Sequence, residues 1–145
     1  MQALGGNMTN HLHEHHDKIK IDALNAGNLA YMGDAVFEVL VRQKIVKTTN
    51  HAKLHKIATN YVSAKAQHIM YHKLIEIATE EEKTVLKRGR NFVSRAPKSA
   101  SMSEYRHATG LESLFGYLFL TGQIERINQI FNILYKYIAE ENNDK

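Results

Sequence analysis

The sequence contains the stretch Leu29-Ala30-Tyr31-Met32-Gly33-Asp34-Ala35-Val36-Phe37-Glu38, which is largely apolar but has an aspartate near its middle. At helical spacing Asp34 shares one face with Tyr31, Phe37 and Val41. Burying a carboxylate on such a face is expensive unless a cation compensates its charge. A divalent metal ion is one such cation, so this helix is predicted to carry a metal ligand.

A second stretch has the same character. It reads Ala108-Thr109-Gly110-Leu111-Glu112-Ser113-Leu114-Phe115-Gly116-Tyr117, and Glu112 shares a helical face with Ala108, Phe115 and Phe119. Asp34 and Glu112 therefore form a candidate pair. From the pattern alone, a metal site and a structural network pairing both acids with basic side chains are equally consistent.

Composition bounds the class of protein. The chain has 145 residues, which suffices for one domain with its own core, and it has no cysteine, which excludes disulfides and thiolate metal sites. The formal charge of +4 favours an anionic partner. The absence of cysteine suits a reducing compartment, so the cytoplasm is the expected location. No run of 18 apolar residues and no secretion-signal pattern occur, so we expect a soluble protein without membrane segments.

Apolar residues recur mostly at intervals of three and four, and there is one proline, so the fold is predicted to be all-α, a single-domain helical bundle. Residues 1–20 are interpreted as a flexible polar leader that carries no fold, 21–141 as the domain, and 142–145 as a polar tail. The predicted helices are Ala26 to Val46, two helices within 51–78 with a break near Asn60, a helix capped by Thr79 to Glu82 that runs toward Gly89, one from Ser103 to about Leu120, and a last one after Thr121-Gly122.

Several stretches resemble one known family. Residues 29–36 resemble the signature helix of the ribonuclease III catalytic domain, and residues 109–116 resemble its second acidic helix. Residues 62–67, 85–91 and 115–120 extend the likeness, which is greater to the short bacterial branch, Mini-ribonuclease III, without a separate double-stranded-RNA-binding domain. The resemblance implies a metal-dependent endoribonuclease that hydrolyses double-stranded RNA.

The resemblance assigns Asp34 and Glu112 as the catalytic residues and as ligands of Mg²⁺. Larger family members have two further acids, where this chain has Ala30 and Thr109. Two protein carboxylates more comfortably hold one Mg²⁺ than two, so the number of metal ions stays open. Glu38 is expected to pair with Arg42 one turn later rather than to bind metal.

Basic residues before the second acidic helix are candidates for RNA binding. A solvated basic loop is the alternative, but the position of the cluster favours contact with the phosphates of a duplex. Two more candidates lie elsewhere in the chain and could instead balance the acids. The full set is Lys65, Lys87, Arg88, Arg90, Arg95, Lys98 and Arg106.

The histidines are predicted to be ordinary side chains rather than metal ligands. Those at 11, 13, 15 and 16 lie in the polar leader, which has no apolar face to preorganise metal ligands. His51 and His55, like His68 and His72, are spaced four apart and can share a helical face. Without a third ligand in register, they are interpreted as ordinary surface or core residues.

The resemblance further implies a homodimer and a role in the maturation of 23S ribosomal RNA. A non-catalytic RNA-binding module on the same fold is the alternative, disfavoured because both Asp34 and Glu112 are present. An all-α metal-dependent nucleotide hydrolase is more distant, since small substrates would not need the basic cluster.

Overall fold

The computed structural model describes residues 10–92, 98 and 100–143, and in these residues every regular element is a helix. The predicted all-α class is therefore confirmed. The helices are α1 (Lys18–Asp22), α2 (Ala26–Ile45), α3 (His51–Val62), α4 (Ala64–Ile75), α5 (Glu80–Asn91), α6 (Met102–Leu120) and α7 (Ile124–Asn143). None of the described helices is long and apolar enough to span a bilayer.

The helix α6 is the centre of the bundle, with α2, α4, α5 and α7 packed around it. From Ala108 to Leu118 it is buried at every position except Glu112, which is half-buried. The core beside it includes Phe37, which packs edge-on against Phe115 and Phe131 with ring centroids 5.4 and 5.8 Å apart. A helix buried on all sides explains why this stretch of sequence has no polar face.

Two glycines allow α2 and α6 to touch backbone to backbone. A Cβ on Gly33 would overlap the carbonyl oxygen of Glu112 and come within 2.8 Å of the Gly116 nitrogen. A Cβ on Gly116 would in turn overlap the carbonyl of Leu29. The crossing point therefore fixes Asp34, the neighbour of Gly33, beside Glu112.

The helix ends agree with the predictions in most places. Thr79 and Glu82 form the predicted capping box, with each side chain accepting a hydrogen bond from the other residue's backbone N–H. Glu82 is buried, and it also accepts hydrogen bonds from the guanidinium of Arg126 at 2.8 and 2.9 Å. The capping acid thus joins α5 to α7.

Two predicted boundaries were wrong. The break between α3 and α4 lies at Ser63, not near Asn60, because Ser63 is extended and its hydroxyl caps α4. The cap of α6 is Ser101, which accepts from the Glu104 N–H, rather than Ser103. Where several hydroxyl residues are close in sequence, each is a competent cap, and packing selects among them.

The leader predicted over residues 1–20 also differs from the structure in its described part. The helix α1 begins at Lys18 with Asp17 as its cap. The ring of His13 lies 2.7 Å from the carbonyl oxygen of Phe119 and packs edge-on against the Phe119 ring. The packing against the domain therefore begins before residue 21, because contacts distant in sequence hold a segment with no apolar periodicity of its own.

Candidate active site

The carboxyls of Asp34 and Glu112 lie within hydrogen-bonding reach of one another. Asp34 projects from α2 and Glu112 from α6, on either side of the Gly33–Gly116 crossing. Two residues 78 positions apart in sequence thus form one acidic site. The structure brings together the pair that the sequence pattern selected.

The two acids differ in exposure. Glu112 is half-buried, but Asp34 is exposed, as is its neighbour Tyr31 at 85%. The burial expected for Asp34 was therefore wrong, although Phe37 and Val41 of the same face are buried. Helical period identifies residues that share a face, but not how far a neighbouring helix covers that face. Asp34 lies where its face opens to solvent.

Burial and the nearby negative charge of Asp34 raise the pKa of Glu112 to about 8. Glu38 adds a smaller repulsion, although it pairs with Arg42 at 3.1 Å as predicted. Two interacting carboxyls favour sharing a proton when no cation is between them. The pair therefore fits a divalent cation, which would neutralise both charges.

Gln67 is the third member of the site. It is only 2% exposed, and its side-chain amide donates a hydrogen bond to the Glu112 carboxyl. It belongs to the stretch 62–67 that carries part of the resemblance, yet its spacing gives no indication of this role. Only the packing of α4 against α6 directs it to Glu112.

Ala30 and Thr109, which replace the further acids of larger family members, supply no acidic ligand. Both are buried, and the Thr109 hydroxyl donates to the carbonyl of Tyr105 at 2.9 Å. The protein carboxylates available at the α2–α6 crossing are therefore Asp34 and Glu112, with Glu38 held by its arginine.

A groove of about 870 Å³ lies between α4, α5 and α6 and is lined by three of the seven predicted RNA-binding residues. Its cationic lining comes from α5 and is formed by Lys83, Lys87, Arg88 and Arg90. Lys83, which pairs with Glu80 at 3.3 Å, was not among the predicted residues. We call this surface the basic groove.

The other predicted RNA-binding residues are dispersed. Arg106 shares a small cleft with Arg90, next to the basic groove. Lys65 is exposed on α4, two residues before Gln67, and Lys98 is exposed outside any helix. Arg95 lies outside the described residues.

Arg88 has a structural contact that the sequence did not indicate. Its guanidinium donates to the Leu24 carbonyl at 2.8 Å, at the junction of α1 and α2. Gly89, the next residue, packs against Gly110 and Ser113 of α6 so closely that a Cβ would lie 2.5 Å from the Ser113 hydroxyl. Part of the basic sequence therefore anchors α5.

Comparison with known proteins gives a consistent result. The family model for the ribonuclease III domain matches residues 27–123. The chain is 45% identical over 124 residues to Mini-ribonuclease 3 of Enterococcus faecalis, and the match covers 82% of this chain and 94% of that protein. It is 37% identical over 138 residues to Mini-ribonuclease 3 of Clostridium tetani, covering 92% and 91%.

A solved structure is similar as well. The crystal structure of a Fusobacterium nucleatum protein superposes with a TM-score of 0.76 at 33% sequence identity. The match covers 83% of this chain and 99% of that one.

Proposed function

The chain belongs to the ribonuclease III domain family and is an endoribonuclease of that type, and we propose that it hydrolyses phosphodiesters of double-stranded RNA with Mg²⁺ held by Asp34 and Glu112. The observation that carries this proposal is the pairing of the two carboxyls across the α2–α6 crossing. The raised pKa of Glu112 supports it, since among the described residues no cation appears with the groups that shift this pKa, and such a pair suits a divalent metal.

The chain's own residues have separate parts in this proposal. Asp34 is exposed and can face a substrate phosphate together with the cation, whereas Glu112 is held from behind by the Gln67 amide. That hydrogen bond orients the Glu112 carboxylate and favours its ionised form. When bound, Mg²⁺ supplies charge stabilisation at the phosphate and a nucleophile at neutral pH.

The preference for a duplex is proposed from the basic groove. Its cations project from successive turns of α5 at an open surface, which suits a polyanionic backbone better than a small substrate. Lys65 and Arg106 would add contacts nearer the acidic site, since one lies close to Gln67 in sequence and the other precedes Glu112 on α6.

We further propose a homodimer. The side chains of Tyr31 and Val39 on α2 are 85% and 54% exposed, which leaves apolar surface on the helix that carries Asp34. Two copies about a two-fold axis would match the pseudo-symmetry of a duplex and present one acidic site to each strand. A 23S ribosomal RNA precursor is the proposed cellular substrate, and it would place the protein in the cytoplasm.

The test is cleavage of a long RNA duplex by Asp34→Asn and Glu112→Gln variants. Each should cleave at least about a hundredfold more slowly than the parent, while duplex binding stays nearly unchanged, because the missing ligand removes transition-state stabilisation. Glu104→Gln, which removes an acid from the same α6 helix, is the matched control and should retain the parent rate. Cleavage at the parent rate by either site variant would exclude the proposed metal ligands.

The substrate class is tested in parallel. The parent should cleave duplex RNA only with Mg²⁺ and leave nucleoside triphosphates intact. Binding of the duplex without cleavage under all metal conditions would instead favour the RNA-binding module, and hydrolysis of the triphosphates would favour a nucleotide hydrolase.

A further inference from the structure

Three histidine side chains meet where α4 packs against α6. His68 and His72 are one helical turn apart on α4, and His107 faces them from α6. The centroids of each pair of rings are 4.7 Å apart. The third ligand that the sequence pattern lacked for the His68–His72 pair is thus supplied by another helix.

The distances suit a metal centre. One nitrogen from each ring lies within 4.8 Å of the others, and the Nδ1 atoms of His68 and His107 are 2.8 Å apart. Around tetrahedral Zn²⁺, with Zn–N bonds of about 2.0–2.1 Å, ligand nitrogens are separated by roughly 3.3 Å. The three nitrogens are therefore close enough to face a single ion.

The environment of His107 favours the form of its ring that binds metals. Burial, followed by the positive charges that His68, His72 and Arg90 would exert, lowers the pKa of His107. A neutral imidazole is the ligand form, so this shift of the His107 pKa favours metal binding, in addition to the geometry. The Ser103 carbonyl accepts a hydrogen bond from the His107 ring and orients it.

We propose that His68, His72 and His107 form a binding site for a transition-metal cation of the Zn²⁺ class, distinct from the carboxylate pair. Imidazole nitrogens select zinc, cobalt, nickel or copper, whereas Mg²⁺ prefers oxygen ligands. Three protein ligands leave a fourth position for water or an anion. His72 and His107 line the basic groove, so this position is reached from the surface proposed to bind RNA.

The site has a mechanical consequence. It joins α4, which carries Gln67, to α6, which carries Glu112. Metal binding would therefore hold together the two helices whose hydrogen bond supports the acidic site. This inference does not depend on the nuclease proposal, because its readout is metal binding.

The experiment uses the full chain with His11, His15 and His16 replaced by Gln, so that the leader cannot chelate the probe. His13 is kept because it contacts Phe119. Zn²⁺ binding is measured by calorimetry, and Co²⁺ is added as a spectroscopic probe of tetrahedral coordination. We expect one ion per chain, visible absorption typical of tetrahedral Co²⁺, and no competition from excess Mg²⁺.

The matched comparison is between His72→Ala and His55→Ala in that background. Both histidines are exposed members of a pair spaced four apart, but within the described residues only the His68–His72 pair belongs to a three-ligand cluster. His72→Ala should weaken Zn²⁺ binding at least about tenfold and abolish any zinc-dependent rise in melting temperature, whereas His55→Ala should change neither.

His72 is exposed, so its replacement should leave the metal-free melting temperature unchanged and the comparison valid. Absence of Zn²⁺ binding in the background protein would overturn the proposal. So would equal Zn²⁺ affinity in His72→Ala and the background, or an equal loss in His55→Ala. In those cases the three rings only pack together, with a hydrogen bond between His68 and His107.

Discussion

Replacing Glu112 by glutamine should stabilise the metal-free protein while it destroys the proposed active site. Burial and the charge of Asp34 raise the pKa of Glu112 from 4.5 to about 8 in the folded protein. Since a tenfold change in proton affinity corresponds to ~1.4 kcal/mol, ionised Glu112 lowers the free energy of unfolding by at most about 5 kcal/mol. In the Glu112→Gln variant, the new amide side chain would keep a hydrogen bond with Gln67 without the charge.

The expected gain is smaller than this limit. Asp34 is exposed, so solvent screens part of its repulsion, and we expect about 2–3 kcal/mol. At roughly 3 °C per kcal/mol for a chain of this size, the melting temperature should rise by about 6–9 °C.

The gain should depend on pH. A raised pKa means that the folded protein binds the Glu112 proton more tightly than the unfolded chain does. The parent therefore loses stability as pH rises from about 4.5 to about 8, and the loss is complete above that value. Thermal unfolding in a chelating buffer should show little difference between parent and Glu112→Gln near pH 4.5 and the full difference near pH 9.

If the proposed site binds Mg²⁺, addition of this cation should narrow the difference, because it would stabilise only the parent pair. The same measurement on Glu104→Gln, whose residue lies in the first turn of α6, serves as the control and should show no such gain. A variant that is less stable than the parent at every pH, or a difference that does not change with pH, would refute the reasoning.

Three further predictions concern the crossing, the groove and the dimer. Gly33→Ala should lower the free energy of unfolding by about 1–3 kcal/mol in urea, because its Cβ would overlap the Glu112 carbonyl on a backbone that cannot move aside; an unchanged midpoint would contradict this. Alanine replacement of the groove residues Lys83, Lys87 and Arg90 should reduce the slope of log affinity for duplex RNA against log salt concentration by up to about 3. The same replacement of the exposed lysines Lys47, Lys53 and Lys56, near α3, is the control and should leave the slope unchanged. Mixed dimers with one Asp34→Asn subunit should nick a single strand of the duplex, and gel analysis showing both strands cut at the parent rate would exclude one site per strand.

Much of the fold followed from the sequence because its signals are local. Apolar residues at helical spacing predicted α2 to end within one residue of its observed end, and the Thr79–Glu82 pattern predicted a capping box. These features depend on neighbours within a turn or two. The break between α3 and α4 and the cap of α6 were predicted wrongly, and the helix at Lys18 was not predicted, because several neighbouring residues could serve equally well as caps and the local pattern does not choose among them.

The candidate site divides in the same way. The residues alone established that Asp34 and Glu112 are acids in apolar helices, since helical period and residue chemistry suffice for that. The packed helices were needed to show that Asp34 is exposed, that Gln67 supports Glu112, that Arg88 holds Leu24, and that His107 completes a cluster with His68 and His72. The reason is that each of these features depends on how different helices pack together. Helical periodicity shows which residues share one face of a helix, but not which other helix packs against that face.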